Sequence, residues 1–407
     1  MAVEVTTSNN AKMIDTEAER ASSSSSASFS VPVVGNVEFG GTWEHRQQSM
    51  AMFSCSIYFI VPMYLLCWIL TISLLCINRV TAVIMTCYLG YIFLLDKSHT
   101  TGACRPYLRI FTTWWSHACD YLPLLLVKTA NLDPKRRYVM GYHPHGIISV
   151  GFFCAFATDG ARTLSLVPGD DDVKGDGCRG FSFLFPGIDR RLVTLRLSFM
   201  TPFLREYFLY MGAIDSSKET FRNNLSRPST AVLVVVGGAA ESMVVHNHGI
   251  DLVLEKRKGF VREAIMANAC LVPVIAFGES DLYHIFEMDE PRWVARFQRF
   301  FKRATGVAIP IFQGRGLFLK DYGLMPVRTP VCVVVGAPIE PPDLQNHAAF
   351  RPEIDHDTDK PLNKDGAILL EWHRKYVSAL QELYKSHADA SWNRPGQQRR
   401  SSLKIVQ

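Results

Sequence analysis

The stretch Tyr138-Val139-Met140-Gly141-Tyr142-His143-Pro144-His145-Gly146 decides how this chain is read. Its first five residues form a strand-like run, and a small, apolar run able to open a helix follows it. Two imidazoles therefore sit where a strand ends. The ring of Pro144 fixes φ between them, and Gly146 lets another molecule approach the backbone closely. Histidine titrates near neutral pH, so a neutral imidazole here can accept a proton. The stretch suggests a general base beside the free backbone N–H groups that a helix entrance presents.

Downstream, strand-like and helix-like segments alternate. Strands are expected at Arg137–Tyr142, Ala231–Val236, Cys270–Phe277 and Val331–Val335, apolar on both faces as in a sheet covered on both sides. Helices are expected at Leu192–Met200, Lys218–Ser226, Phe260–Asn268, Glu290–Thr305 and Ala367–Ser386. This order argues for an α/β domain over 137–390, with a mostly parallel sheet flanked by helices, followed by a polar basic tail over 391–407. Residues 169–177, with their Asp170-Asp171-Asp172 run, read as a solvated loop in preference to a hard-cation site.

The N-terminal part has another character. Residues 1–45 are polar and include the run Ser22 to Ser26, so they read as disordered. Met50 to Ile77 carries no charge and would reach roughly 40 Å as a helix, more than the ~30 Å of a hydrocarbon core. Asn78-Arg79 interrupts, and Val80 to Leu95 would span about 24 Å. One continuous helix would place Arg79 within the bilayer at a cost on the order of 3 kcal/mol or more. A membrane-embedded hairpin over 46–97, both ends on one side, avoids that cost. One true span plus an interfacial helix is the alternative, and a pair of buried core helices the third reading. Residues 98–136, with Trp114-Trp115 and Tyr121-Leu122-Pro123, read as an interfacial linker.

The formal charge of +5, without a basic stripe interleaved with aromatics, gives no argument for nucleic acid. The ten cysteines are scattered, Cys55, Cys67, Cys76 and Cys87 among them. None forms a CxxC or Cys/His zinc spacing, which argues against a disulfide framework or structural metal.

Several blocks in fixed order resemble the type 2 diacylglycerol acyltransferase family, which includes monoacylglycerol and some wax-ester acyltransferases. They are Gly141-Tyr142-His143-Pro144-His145-Gly146, Phe185-Pro186-Gly187-Ile188, Pro202-Phe203-Leu204-Arg205-Glu206, Val236-Gly237-Gly238-Ala239-Ala240-Glu241-Ser242, Arg257-Lys258-Gly259-Phe260-Val261, Leu271-Val272-Pro273, Phe277-Gly278-Glu279, Gly314-Arg315-Gly316-Leu317-Phe318 and Val335-Gly336-Ala337-Pro338-Ile339. Leu122 stands where relatives often carry phenylalanine, the 169–177 insert lengthens a loop, and Thr71–Asn78 only half matches a neutral-lipid pattern, at Leu74 and Asn78.

The resemblance implies acyl transfer from acyl-CoA, as co-substrate and not cofactor, to diacylglycerol, giving triacylglycerol; monoacylglycerol and a long-chain alcohol are the alternative acceptors. It implies an endoplasmic-reticulum membrane protein, multi-pass, with both termini cytosolic and access to lipid droplets, and leaves a homo-oligomer open. It favours His145 as base, with His143 bracing the turn or binding the acyl carbonyl. Pro144 and Gly146 shape the oxyanion turn, where the N–H groups of Gly146 and Ile147 would act as donors. Related lipid acyltransferases place an acid a few positions after the histidine, but no carboxylate lies between His145 and Asp159. Glu241, after a Gly-Gly turn at a strand end, is the candidate orienting acid. Arg257, Lys258 and Arg315 are candidates for the coenzyme A phosphates, with Arg262 equally well a solvated residue. Arg205-Glu206 reads as a structural ion pair. His246 and His248 lack further ligands at metal spacing, so no metal site is expected. Ser149 and Ser242 lack the Gly-x-Ser-x-Gly elbow of a hydrolase.

Overall fold

The computed structural model of the chain describes residues 43–58, 61–103, 106–170, 179–242, 250–285, 296, 300, 312–317, 322–355, 360–388 and 403–406. Eight strands form its main sheet: β1 (Leu125–Lys128), β2 (Tyr138–His143), β3 (Arg162–Ser165), β4 (Asp189–Thr194), β5 (Ala213–Asp215), β6 (Thr230–Val235), β7 (Cys270–Phe277) and β8 (Cys332–Val335). Their spatial order is β3-β1-β8-β7-β2-β6-β4-β5, and every neighbouring pair is parallel except β7–β8. The expected α/β class with a mostly parallel sheet is therefore present.

The four strands expected from the sequence are β2, β6, β7 and β8, and they are neighbours at the centre of the sheet. Both faces of a central strand are covered, so its sequence is an unbroken apolar run. The outer strands β1, β3, β4 and β5 include Lys128, Arg162, Asp189 and Asp215, which hide that signal. β1 lies in the stretch read as an interfacial linker, and β4 takes the start of the stretch read as the helix Leu192–Met200, leaving only Arg196–Met200 helical.

Side chains alternate across the sheet. Tyr138, Met140 and Tyr142 of β2 enter one core, with Phe152, Phe156 and residues of helices α1 (Trp43–Ile57) and α4 (Thr112–Tyr121). Val139 enters the other, under α7 (Gly259–Met266) and the long helix α8 (Lys364–His387). Asn363 caps α8 by accepting from Gly366 N at 2.7 Å. Helices α6 (Lys218–Leu225), α7 and α8 lie where expected. Within the tail, Leu403–Val406 pairs in parallel with Ile250–Val253. The serine run, His246, His248, most of the 169–177 insert and most of Glu290–Thr305 lie outside the described residues.

The N-terminal apolar run is divided differently from the expectation. Its first part belongs to α1, which buries Gln48, Ser49, Ala51, Met52, Cys55 and Ser56. Trp114 Nε1 of α4 donates to Ser54 Oγ at 3.1 Å and Arg328 donates to Gln48 Oε1 at 2.5 Å, so this helix is docked on the domain. The hairpin is formed by α2 (Val61–Ile77) and α3 (Arg79–Gly90), which a π turn extends through Leu95. It breaks at the expected residues. Asn78 is extended and its side chain accepts from Thr81 N at 2.9 Å, while Thr81 Oγ1 accepts from Asn78 N at 3.3 Å, a capping box that starts a new helix. Leu65, Ile69, Ile72, Val83, Ile84 and Leu94 stand exposed along both arms. Among the described residues no single helix is long and apolar enough to cross a membrane.

α5 (Leu204–Tyr210) anchors the base of the hairpin. Buried Arg205 pairs with Asp96, just beyond the π turn, and with Glu206 at 3.2 Å. Tyr88 of α3 donates to Glu206 Oε2 at 2.7 Å and accepts from Phe203 N at 3.0 Å.

Candidate functional site

The last residue of β2 is His143, which is fully buried and points to the α8 side of the sheet, opposite to Tyr142. Its Nε2 lies 3.0 Å from Tyr376 Oη, which donates to Gly141 O at 3.1 Å. A hydroxyl has one proton to give, so His143 carries hydrogen on Nε2 and donates to the tyrosine. Its Nδ1 is buried with no hydrogen-bond partner among the described residues. Burial pushes this imidazole down to about 3, so it is neutral at physiological pH. Gly141 is what lets Tyr376 reach it: a Cβ at this position would lie 2.1 Å from Tyr376 Oη.

After the cis His143–Pro144 bond the chain leaves the sheet. His145 is half-buried. Its backbone N–H donates to Glu241 Oε1 at 2.6 Å, and its Nδ1 lies 3.1 Å from Gly146 O. A carbonyl only accepts, which puts the hydrogen on Nδ1 and leaves the lone pair on Nε2. Burial lowers the pKa of this imidazole, partly offset by the Gly146 contact, so Nε2 is an unprotonated acceptor at neutral pH. Gly146 has φ +60°, and the N–H groups of Gly146 and Ile147 have no acceptor among the described residues. Ser149 Oγ donates to His145 O at 2.8 Å, so its hydroxyl supports the turn.

Glu241 follows β6, the strand next to β2, and is buried. The Gly-Gly turn makes room for it: Gly238 has φ +56°, and a Cβ on Gly237 would lie 1.9 Å from Glu241 Oε2. Oε2 also accepts from Val253 N at 3.1 Å. Burial pushes the carboxyl up to about 7, against the opposing effects of the two N–H bonds and of Arg257. The expected acid is thus brought to His145, but it grips the backbone N–H and not the ring. The ring already has its Nδ1 partner in Gly146.

Arg257 is brought beside this turn, its Nη2 donating to Gly237 O at 3.3 Å. Lys258 follows it and donates to Glu255 O at 2.7 Å. Arg262 sits 3.7 Å from Glu263. Arg315 lies in a separate group: its backbone bridges Met325 at 2.7 Å, and its side chain faces the buried Tyr121 hydroxyl. Arg328 stacks on the same tyrosine, 4.8 Å from the ring centre. Among the described residues no group of three or more His, Cys, Asp or Glu is placed to hold a metal ion.

Two residues near the turn had no role assigned from sequence. Tyr376 gave no signal, because a tyrosine on the apolar face of a helix reads as packing. Glu279 belonged to a recognised block, Phe277-Gly278-Glu279, which marked it without revealing that it reaches the turn.

The family model for diacylglycerol acyltransferase matches residues 73–171 and 173–392. The chain is similar to diacylglycerol O-acyltransferase 2A of Umbelopsis ramanniana, 37% identical over 306 residues that cover 74% of this chain and 76% of that one. It is 36% identical to diacylglycerol O-acyltransferase 2 of Dictyostelium discoideum over 74% of this chain and 82% of the relative. It is also 36% identical to human 2-acylglycerol O-acyltransferase 3, over 68% and 72% respectively. No solved structure matches the chain.

Proposed function

We propose that this chain, which belongs to the diacylglycerol acyltransferase family, moves a fatty acyl group from acyl-CoA to the free hydroxyl of a diacylglycerol, with His145 as the general base. One observation carries the assignment of the base. His145 keeps an unprotonated Nε2 on a half-buried ring, immediately before two N–H groups without acceptors among the described residues.

The acceptor hydroxyl gives its proton to His145 Nε2 as its oxygen attacks the thioester carbonyl. The carbonyl oxygen becomes an oxyanion, for which the N–H groups of Gly146 and Ile147 are the donors. Collapse of the adduct breaks the C–S bond, and the departing thiolate takes the proton back from the imidazolium. The thioester is already activated, so no covalent acyl-enzyme is needed. A positioned base contributes roughly 10²–10⁴-fold, and one oxyanion donor about 10²–10³-fold. His143 braces the turn from below. It is neutral, buried and turned toward α8, which disfavours it as the base.

Arg257 and Lys258, beside the Glu241 turn, are candidates for the coenzyme A phosphates, with Arg315, beside Tyr121, as the third. The apolar hairpin α2–α3 would sit in the endoplasmic-reticulum membrane with both ends cytosolic. Its short arms and charged turn residue suit an embedded hairpin, which can also enter the single leaflet around a lipid droplet. Such an arrangement would hold the turn near the depth where diacylglycerol is dissolved.

The test uses the full-length chain in microsomes lacking triacylglycerol synthesis, with labelled acyl-CoA and diacylglycerol, monoacylglycerol and a long-chain alcohol as competing acceptors. Diacylglycerol is expected to be the preferred acceptor, and His145→Ala to lower kcat by about 10²–10⁴-fold. Activity retained by His145→Ala at equal protein level would overturn the base assignment.

A further inference from the structure

Glu279 is a buried carboxylate that the mechanism above does not use. β7 runs beside β2, with Ile275 opposite His143, and ends at Phe277, just before Gly278. There the chain turns sharply: Gly278 has φ +91°, and a Cβ on it would lie 2.3 Å from Pro330 O. Glu279 then points back under the His145 turn. Its Oε2 accepts from Tyr142 Oη at 2.7 Å, and its Oε1 accepts from Gly151 N at 3.3 Å. The chain carries glycine at both places where it passes this side chain. A Cβ on Gly146 would lie 3.0 Å from Glu279 Cγ, and a Cβ on Gly151 would lie 2.1 Å from Glu279 Oε2.

These partners, with the Val150 backbone N–H that also donates to the group, are neutral donors, and no described cation pairs with this carboxyl. A buried carboxylate without a counter-charge costs several kcal/mol, and the group responds by neutralising; burial here pushes it up to about 7. A residue kept at that cost, inserted between two glycines of one turn, has its value in shape and hydrogen bonds. Glu241 holds the entry to the turn through the N–H of His145, and Glu279 fills the space behind its exit.

We propose that Glu279 is a positioning residue for acyl transfer: a buried peg around which residues 146–151 wrap, setting the direction of the His145 ring and of the Gly146 and Ile147 N–H groups. The proposal rests on the reading of His145 as base. It does not make Glu279 a proton carrier, and the experiment separates the two roles. A glutamine has the same length and can accept from Gly151 N–H with its oxygen while donating to Tyr142 Oη with its amide. Alanine removes the peg, and aspartate shortens it by a methylene.

The full-length chain and its Glu279→Gln, Glu279→Asp and Glu279→Ala variants are assayed in microsomes for kcat and KM of acyl-CoA, with the amount of membrane-bound protein and its thermal-inactivation midpoint measured alongside. Glu279→Ala and Glu279→Asp are expected to lower kcat by about 10–100-fold at nearly constant KM. Glu279→Gln is expected to restore kcat to roughly a third of wild type or better. Glu279→Gln as inactive as Glu279→Ala, with its midpoint unchanged, would overturn the peg in favour of a proton-transfer role. Glu279→Ala with wild-type kcat would overturn it outright. If Glu279→Ala does not accumulate, the comparison of Glu279→Gln with Tyr142→Phe decides. Tyr142→Phe removes one bond to the peg and should cut kcat by about threefold to tenfold with KM unchanged; no change in kcat would refute the proposal. Failure of the base assignment is distinguishable, because it appears as activity in His145→Ala while the Glu279 series still reports on kcat.

Discussion

Tyr376→Phe isolates the brace beneath the His145 turn. The substitution keeps the ring, so it opens no cavity, and removes one oxygen. That oxygen accepts from His143 Nε2 at 3.0 Å and donates to Gly141 O at 3.1 Å. Gly141 lies inside β2 between β6 and β7, and its carbonyl has two lone pairs, so losing this donor costs it little. The His143 ring is fully buried and its Nδ1 has no partner among the described residues, so Nε2 is left with none there. An unsatisfied buried donor costs about 1–3 kcal/mol. Taking the middle, about 2 kcal/mol, the thermal-inactivation midpoint of the detergent-solubilised chain should fall by about 4 °C, at about 2 °C per kcal/mol for a large domain. The kcat should fall by less than about tenfold, because the base itself is untouched. A midpoint unchanged within about 1 °C would refute the hydrogen-bond accounting. An unchanged midpoint with a loss comparable to that of His145→Ala would move His143 from brace to chemistry.

Arg205→Ala leaves Asp96 without its guanidinium, and breaking a pair this buried costs about 3–5 kcal/mol. The hairpin base should become sensitive to limited proteolysis, and unchanged cleavage would show that the pair does not anchor it. The acid limb of kcat, measured against pH at saturating acyl-CoA, should have its midpoint below 6.5. Burial lowers the His145 pKa from that ordinary value, so the imidazole stays unprotonated, and able to accept, to lower pH. A limb centred above 6.5 would argue against His145 as the titrating base.

The central strands, the terminal helix and the break at Asn78–Arg79 were legible because each has a local pattern: a short unbroken apolar run, an amphipathic period, a polar pair within an apolar stretch. The outer strands carry polar or charged residues in three- to six-residue runs and left no such pattern. The docking of α1 was hidden for a different reason. Uncharged residues such as Met52, Cys55 and Ser56 suit lipid and a protein interior alike, and hydropathy does not distinguish them.

By itself the sequence determined the α/β class, the place of the two imidazoles at a strand end, the glycine turns around them and the acid that follows the neighbouring strand. Only the tertiary structure decided how differently the two imidazoles are held. Tyr376, 233 positions from His143, closes over one ring, while Glu241, 96 positions from His145, holds the backbone of the other, whose Nδ1 turns to Gly146 O. A residue's partner across such a distance depends on how helices and strands pack, and the spacing of residues along the chain does not carry that information.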